Sequence, residues 1–139
     1  MADPKRSLRR AKLLERVRAV EKRAHALEAQ AAEENRARLE GVAARSLGLA
    51  SDYAATARVS DGLELRARHA LASGLRDISV QAAGNAEQAR RMADAKLAEL
   101  AGAEQRRRAA EDHATGLDRA IRAPKPDASP ARKSGTALE

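Results

Sequence analysis

A short turn signal separates two long helical patterns and sets the architecture that this chain can adopt. Within residues 58–64, Asp61 can accept hydrogen bonds from the free amides of a new first turn, and Glu64 can reach back to it, which is a capping box. Gly62 marks a point where the chain can bend. We therefore predict that the chain reverses between about Ala57 and Gly62 and that the helices on either side pack antiparallel.

Prolines mark the outer ends of the two helical patterns. Asp3 can cap a first helix that begins at Pro4, where the missing N–H of proline costs nothing. No proline follows until Pro124, where a proline-containing segment ends the second helix. We expect residues 4–122 to form the hairpin and residues 123–139 to form a disordered, mildly basic tail.

The composition favours long helices with a thin core. Hydrophobic residues make up 43% of the chain, but most of them are alanine, and aromatic residues make up only 1%. Burying alanine removes little apolar area from water, whereas Ala, Leu, Arg and Glu all favour helix. The fold class is therefore predicted to be all-α, as a long antiparallel two-helix coiled coil.

Apolar residues recur at alternating steps of four and three, which predicts the seam along which the two helices pack. The heptad register of these apolar residues shifts once in each helix, which predicts that the supercoil is locally unwound there. The predicted seam of the first helix consists of Leu13, Val17, Val20, Ala24, Leu27 and Ala31, followed out of phase by Leu39, Val42, Ser46, Leu49 and Tyr53. That of the second consists of Leu71, Leu75, Ile78, Ala82, Asn85 and Ala89, and a slip through Ala93 and Leu97 leads to Leu100, Ala103, Arg107, Ala110, Ala114, Leu117 and Ile121.

The formal charge of +7 indicates an acidic partner such as nucleic acid, anionic lipid or an acidic protein surface. An equally weighted interpretation is that the arginines follow from composition and simply solvate the helices. The basic N-terminal segment should lie beside a second basic run in an antiparallel hairpin. The predicted partner-binding residues are Arg6, Arg9, Arg10, Lys12, Arg16, Arg18, Arg106, Arg107 and Arg108.

No catalytic, cofactor-binding or metal-binding residues are predicted. The chain has no Cys, which excludes disulfides and thiolate chemistry. In a hairpin, His25 would lie near Leu97, and the other two histidines, His69 and His113, would lie too far away to share a metal ion with it. Charged residues recur throughout, so we expect no transmembrane helix, and no apolar run follows the N-terminus, so we expect no secretory signal. The predicted location is therefore the cytoplasm. The lack of a catalytic motif predicts that the protein is not an enzyme.

Three stretches resemble the flagellar export protein FliJ and its type III secretion relatives. They are the basic heptad stretch at residues 8–17, the looser middle at 49–53, and the entry into the second helix at 61–64. The resemblance implies a non-enzymatic, stalk-like coiled coil that inserts into the export ATPase ring, contacts the export gate protein and helps to recycle export chaperones. It carries no individual functional residue onto this sequence.

Two other functions remain open at the level of sequence. One is a basic coiled coil that binds nucleic acid through phosphates, although the lack of aromatics argues against a reader of single strands. The other is a structural or scaffold coiled coil that can self-associate. The charge also allows peripheral association with the inner face of a membrane.

Overall fold

Two long helices packed antiparallel make up the structure, which is a computed structural model describing residues 3–55 and 61–126. Helix α1 spans Pro4–Ala54 and helix α2 spans Gly62–Arg122. The described residues contain no strand, and the two helices pack along each other, so the predicted all-α hairpin is confirmed. The predicted reversal falls mostly outside the described residues, as does the predicted tail beyond residue 126.

The helix ends follow the capping residues. Asp3 Oδ1 accepts a hydrogen bond of 3.1 Å from the amide of Lys5 at the start of α1. Asp61 Oδ1 accepts one of 2.7 Å from the amide of Glu64 at the start of α2. Each bond satisfies an amide that the first helical turn leaves without a partner. Asp61 therefore caps α2 as predicted.

Small residues fill the interface between the helices. Every buried residue among those described is alanine or serine. Seams of this kind let helix axes approach to about 8 Å, the short end of the usual range. The buried residues are Ala11, Ala29, Ser46 and Ala50 of α1 and Ala72, Ser79, Ala82, Ala86, Ala89, Ala93, Ala103, Ala110 and Ala114 of α2.

The predicted seam in the first half of α1 is wrong. Leu13, Val20 and Leu27 are 62%, 63% and 68% exposed and lie on the outside of the hairpin. The prediction holds better in α2, where Ala82 and Ala89 are buried, but Leu97 is half-exposed. The other predicted seam residues that prove exposed are Val17, Ala24, Ala31, Leu49, Tyr53, Leu71, Ile78, Asn85 and Ile121.

The observed seam of α1 has no register slip. It alternates steps of three and four from Leu8 to Ala50, and each member is buried or half-buried. Two long helices can stay in contact only along a stripe of constant period, whereas the large apolar residues change stripe after Ala31. Long polar side chains fill the gaps, because their aliphatic stems can lie over the alanines of α2. The members are Leu8, Ala11, Glu15, Arg18, Lys22, His25, Ala29, Ala32, Arg36, Leu39, Ala43, Ser46 and Ala50.

Polar contacts between the helices define their register. Lys22 Nζ lies 2.8 Å from Glu104 Oε2, and Lys96 Nζ lies 3.1 Å from Glu28 Oε2. Nearer the turn, the hydroxyl of Ser79 donates a hydrogen bond of 3.4 Å to a backbone carbonyl of α1, that of Ala43. These pairs are consistent with a symmetric reversal close to Asp61.

Candidate docking surface at the basic open end

The ends of the two helices farthest from the turn form a basic surface, which we call the open end: residues 4–23 and 103–122. In α1 this surface carries nine Lys or Arg residues and only two Glu residues. The antiparallel register brings the arginines of residues 106–108 beside this segment. It also brings Arg119, in the last turn of α2, level with about Arg6. Sequence reasoning missed Arg119, although the antiparallel register alone would have found it.

Three of the nine predicted partner-binding residues are held by carboxylates of the same chain. Arg18 Nη1 donates to Glu21 at 2.8 Å. Arg107 donates to Glu104 at 2.9 and 3.0 Å and also to Glu111 at 2.8 Å. Arg108 Nε donates to Glu104 at 3.0 Å. The charge of these three arginines is already partly compensated, so they are weaker candidates for binding a partner.

Electrostatics at Glu104 make this carboxylate the centre of the local network. The hydrogen bond from Arg107, followed by that from Lys22, holds the pKa of Glu104 well below the ordinary 4.5. The same contact raises the pKa of Arg107 above its ordinary value. Glu104 thus ties α1 to α2 through Lys22 and stays ionised at neutral pH.

The other six predicted residues are exposed, and within the described residues none has a carboxylate partner at ion-pair distance. Five of them lie on one segment of α1, and the sixth lies across the hairpin on α2. Their charges are available to an external acidic group. These residues are Arg6, Arg9, Arg10, Lys12, Arg16 and Arg106.

A shallow groove joins the two helices at the open end. It has a volume of about 260 Å³ and an apolar floor that includes Leu14 and Ala110. Arg18 and Arg106 line it from opposite helices, and the imidazole of His113 lies at one end. Arg106 has no carboxylate partner at ion-pair distance among the described residues, so its guanidinium group can bind an acidic group while an apolar group contacts the floor. The sequence predicted the arginines but not the roles of Leu14 and His113.

A second polar cluster lies between the helices farther from the ends. His25 Nδ1 is buried, has no hydrogen-bond partner, and lies 3.6 Å from Glu99 and 3.9 Å from Glu28. The three side chains are close enough to share a cation. Lys96 Nζ already contacts both carboxylates, at 3.1 and 3.3 Å, so its ammonium group compensates their charge. The sequence placed His25 near Leu97 but did not reveal the two glutamates around it.

Comparisons of the chain with protein-family models, with curated proteins and with solved structures find no match. Neither helix, over the residues that the structure describes, contains a segment long and apolar enough to cross a membrane.

Proposed function

We propose that the protein is a non-enzymatic coiled-coil stalk whose open end docks onto an acidic surface of a partner protein. The observation that supports this proposal is a group of six exposed Lys and Arg residues at one end of the hairpin, none of which has a carboxylate partner among the described residues. At about 1.5 Å per residue the longer helix extends roughly 90 Å, so this charge lies far from the turn. Such a shape suits insertion of one end into a ring or socket.

The resemblance to the flagellar export family suggests which partner this is. It favours the export ATPase ring for the open end, with the export gate protein and export chaperones as further contacts. These partners belong to the proposal, and the basic open end is compatible with an acidic socket in any of them.

The groove favours a protein over nucleic acid. Leu14 is 42% exposed beside Arg18 and Arg106, and arginine around apolar side chains is typical of protein interfaces. Glu104 and Glu111 lie among the arginines of α2 and neutralise part of their charge. A nucleic-acid surface would instead be expected to present positive charge with few interspersed carboxylates.

Charge reversal at the open end tests the proposal. We expect the variant R6E/R9E/R10E/K12E to lose binding to the purified export ATPase ring by more than about tenfold. The matched control is R45E/R66E/R76E/R90E, which makes the same change in net charge at four exposed arginines outside the open end. Both variants should keep their helical content by circular dichroism, because Glu favours helix as well as Arg does.

Two outcomes would contradict the stalk proposal. One is equal loss of binding in the test and control variants, which would show that net charge matters and the open end does not. The other is a steeply salt-dependent affinity for arbitrary duplex DNA that exceeds the affinity for the ATPase ring. Salt dependence alone does not decide between the partners, because exposed charge pairs with either are screened.

A further inference from the structure

An apolar stripe runs along the outside of α1 with the spacing of a second coiled-coil seam. We call it the outer stripe, and its large members are 46–68% exposed. Each member lies two residues after a member of the buried seam, which is about 200° around the helix axis. The outer stripe therefore faces away from α2. It consists of Leu13, Val17, Val20, Ala24, Leu27 and Ala31.

The charges beside the outer stripe are sorted by sign. Arg16 and Arg23 follow one edge, and Glu21 and Glu28 follow the other. In the heptad of the outer stripe these are the two flanking positions, g and e, at which coiled coils form ion pairs between helices. Neither arginine has an ion-pair partner within the described residues, so both are available to a neighbouring helix.

We propose that the outer stripe pairs with the outer stripe of a second copy of this chain, with the two α1 helices parallel and in register. In a parallel pair, each g residue faces the e residue five positions later on the other helix. Arg16 then faces Glu21 of the second copy, and Arg23 faces Glu28. Both pairs form twice, because a two-fold axis relates the copies.

An antiparallel pair would place like charges together. There the g positions face each other, as do the e positions, so arginine would meet arginine and glutamate would meet glutamate. The existing contacts of the two glutamates do not prevent the parallel arrangement. Glu21 binds Arg18, and Glu28 binds Lys96, through Oε2 in each case, which leaves Oε1 for the second copy.

The size of the outer stripe sets the strength of the dimer. Residues 13–31 extend about 28 Å along the helix. Four large apolar side chains and two alanines cover less than the roughly 800 Å² per partner of a standard interface. The dimer is therefore weak and reversible, and it depends on protein concentration.

Removing two apolar side chains from the outer stripe tests the proposal. We expect wild-type protein to show a monomer–dimer equilibrium by sedimentation equilibrium, and V20Q/L27Q to raise the dimer Kd by at least about tenfold. The control L63Q/V80Q replaces two residues that are 76% and 74% exposed but lie on α2, and it should leave the Kd unchanged. A wild-type chain that stays monomeric up to about 1 mM, or a dimer that V20Q/L27Q leaves intact, would overturn the proposal.

Single cysteines test the orientation of the two copies, and the chain has no cysteine of its own. In the parallel pair, L13C and A31C should each form a disulfide-linked dimer, because each position meets itself. Disulfides that form only in a mixture of L13C and A31C would show an antiparallel pair and overturn the proposal.

The charge sorting has its own test. R16E/R23E should lower dimerisation by at least about tenfold, because each new glutamate meets a glutamate of the second copy. R66E/R76E makes the same change in charge outside the outer stripe and should have no such effect. A dimer that tolerates R16E/R23E would contradict the parallel register.

Discussion

The half of the hairpin near the open end and the half near the turn use the same seam but hold the helices together differently. In the open half, three contacts between ionisable groups cross the interface: Lys22 with Glu104, His25 with Glu99, and Lys96 with Glu28. In the turn half, no ion pair joins described residues of α1 and α2. There the side-chain hydrogen bond from Ser79 crosses the interface.

The distance between the helices and the register of one helix along the other are therefore set by different residues. Alanine sets the distance between the helices in both halves. Charged side chains set the position of one helix along the other, and only in the open half. In the turn half, Arg36 binds Glu33 and Glu40 of its own helix and adds nothing between helices. The turn half also holds four of the helical glycines, Gly41, Gly48, Gly74 and Gly84.

The largest expected effect tests whether alanine has the same role in both halves. Ala103 in the open half and Ala72 in the turn half are each 1% exposed. Replacing either by Leu forces the helices apart and should cost about 1–3 kcal/mol in the free energy of unfolding. Urea denaturation measures this cost. The exposed neighbours Ala101 and Ala70 provide controls, in which Leu should change stability little; a large cost at only one of the two buried sites would break the comparison.

A smaller effect tests whether the turn half is the softer one. A Cβ added at Gly48 or Gly84 meets nothing within 4 Å, so G48A and G84A should each stabilise the fold by about 1 kcal/mol. Amide hydrogen exchange should slow mainly in the turn half, where local opening is reduced. Gly116 is the matched site in the open half, and G116A should leave exchange near the turn unchanged. Equal slowing in both halves after each substitution would argue against separate behaviour.

The smallest effect concerns pH. A hydrogen bond from Arg107, followed by one from Lys22 of the other helix, keeps the pKa of Glu104 below the ordinary 4.5. The stabilising contribution of Glu104 is complete above about pH 4.5 and is lost as the pH falls through its lowered pKa. Acid should therefore loosen the open half before the turn half. Hydrogen bonds to Glu28 and Glu99 raise the pKa of Lys96 above 10.5, so Lys96 itself keeps its charge until strong base.

Spin labels at paired positions in each half would measure this loosening. We expect the distribution of distances between labels at residues 20 and 100 to broaden only below about pH 3, as the pH falls through the lowered pKa of Glu104. A pair of labels near the turn should broaden less, because the acid-sensitive pair of Glu33 and Arg36 lies within α1 alone. Earlier broadening near the turn would be inconsistent with charge holding the open half.

The helix ends can be predicted from capping residues close to them in the sequence. The seam cannot be predicted from one helix alone, because it depends on how both helices pack. Asp3 and Asp61 act on amides two or three residues away, so their roles can be read from the sequence. The sequence predicts Leu13 and Leu27 in the seam because large apolar residues give the clearest heptad spacing. Alanine occurs on both faces of α1, so its spacing does not show which face is buried. The face of α1 that packs depends on which line of residues α2 can contact over its whole length.

The candidate docking surface was only partly predictable for the same reason. The run of Lys and Arg from Arg6 to Arg16 is evident in the sequence and proves exposed. The compensation of Arg107 and Arg108 follows from glutamates three or four residues away, which the sequence also contains. The link from Lys22 to Glu104 and the position of His25 between two glutamates depend on the register, so neither could be predicted.

The buried residues of the seam are all alanine or serine, so their volumes do little to fix where one helix lies along the other. A shift of seven residues, about 10 Å, returns alanine to alanine at three buried positions of α2, Ala82, Ala86 and Ala103. Ala82 would be replaced by Ala89, and Ala103 by Ala110, with similar packing. At those positions packing does not distinguish the registered state, but ionic contacts such as that of Lys22 with Glu104 do, and dissolved salt weakens them. In a rod of this kind, a higher ionic strength should lower the resistance of the two helices to sliding along each other.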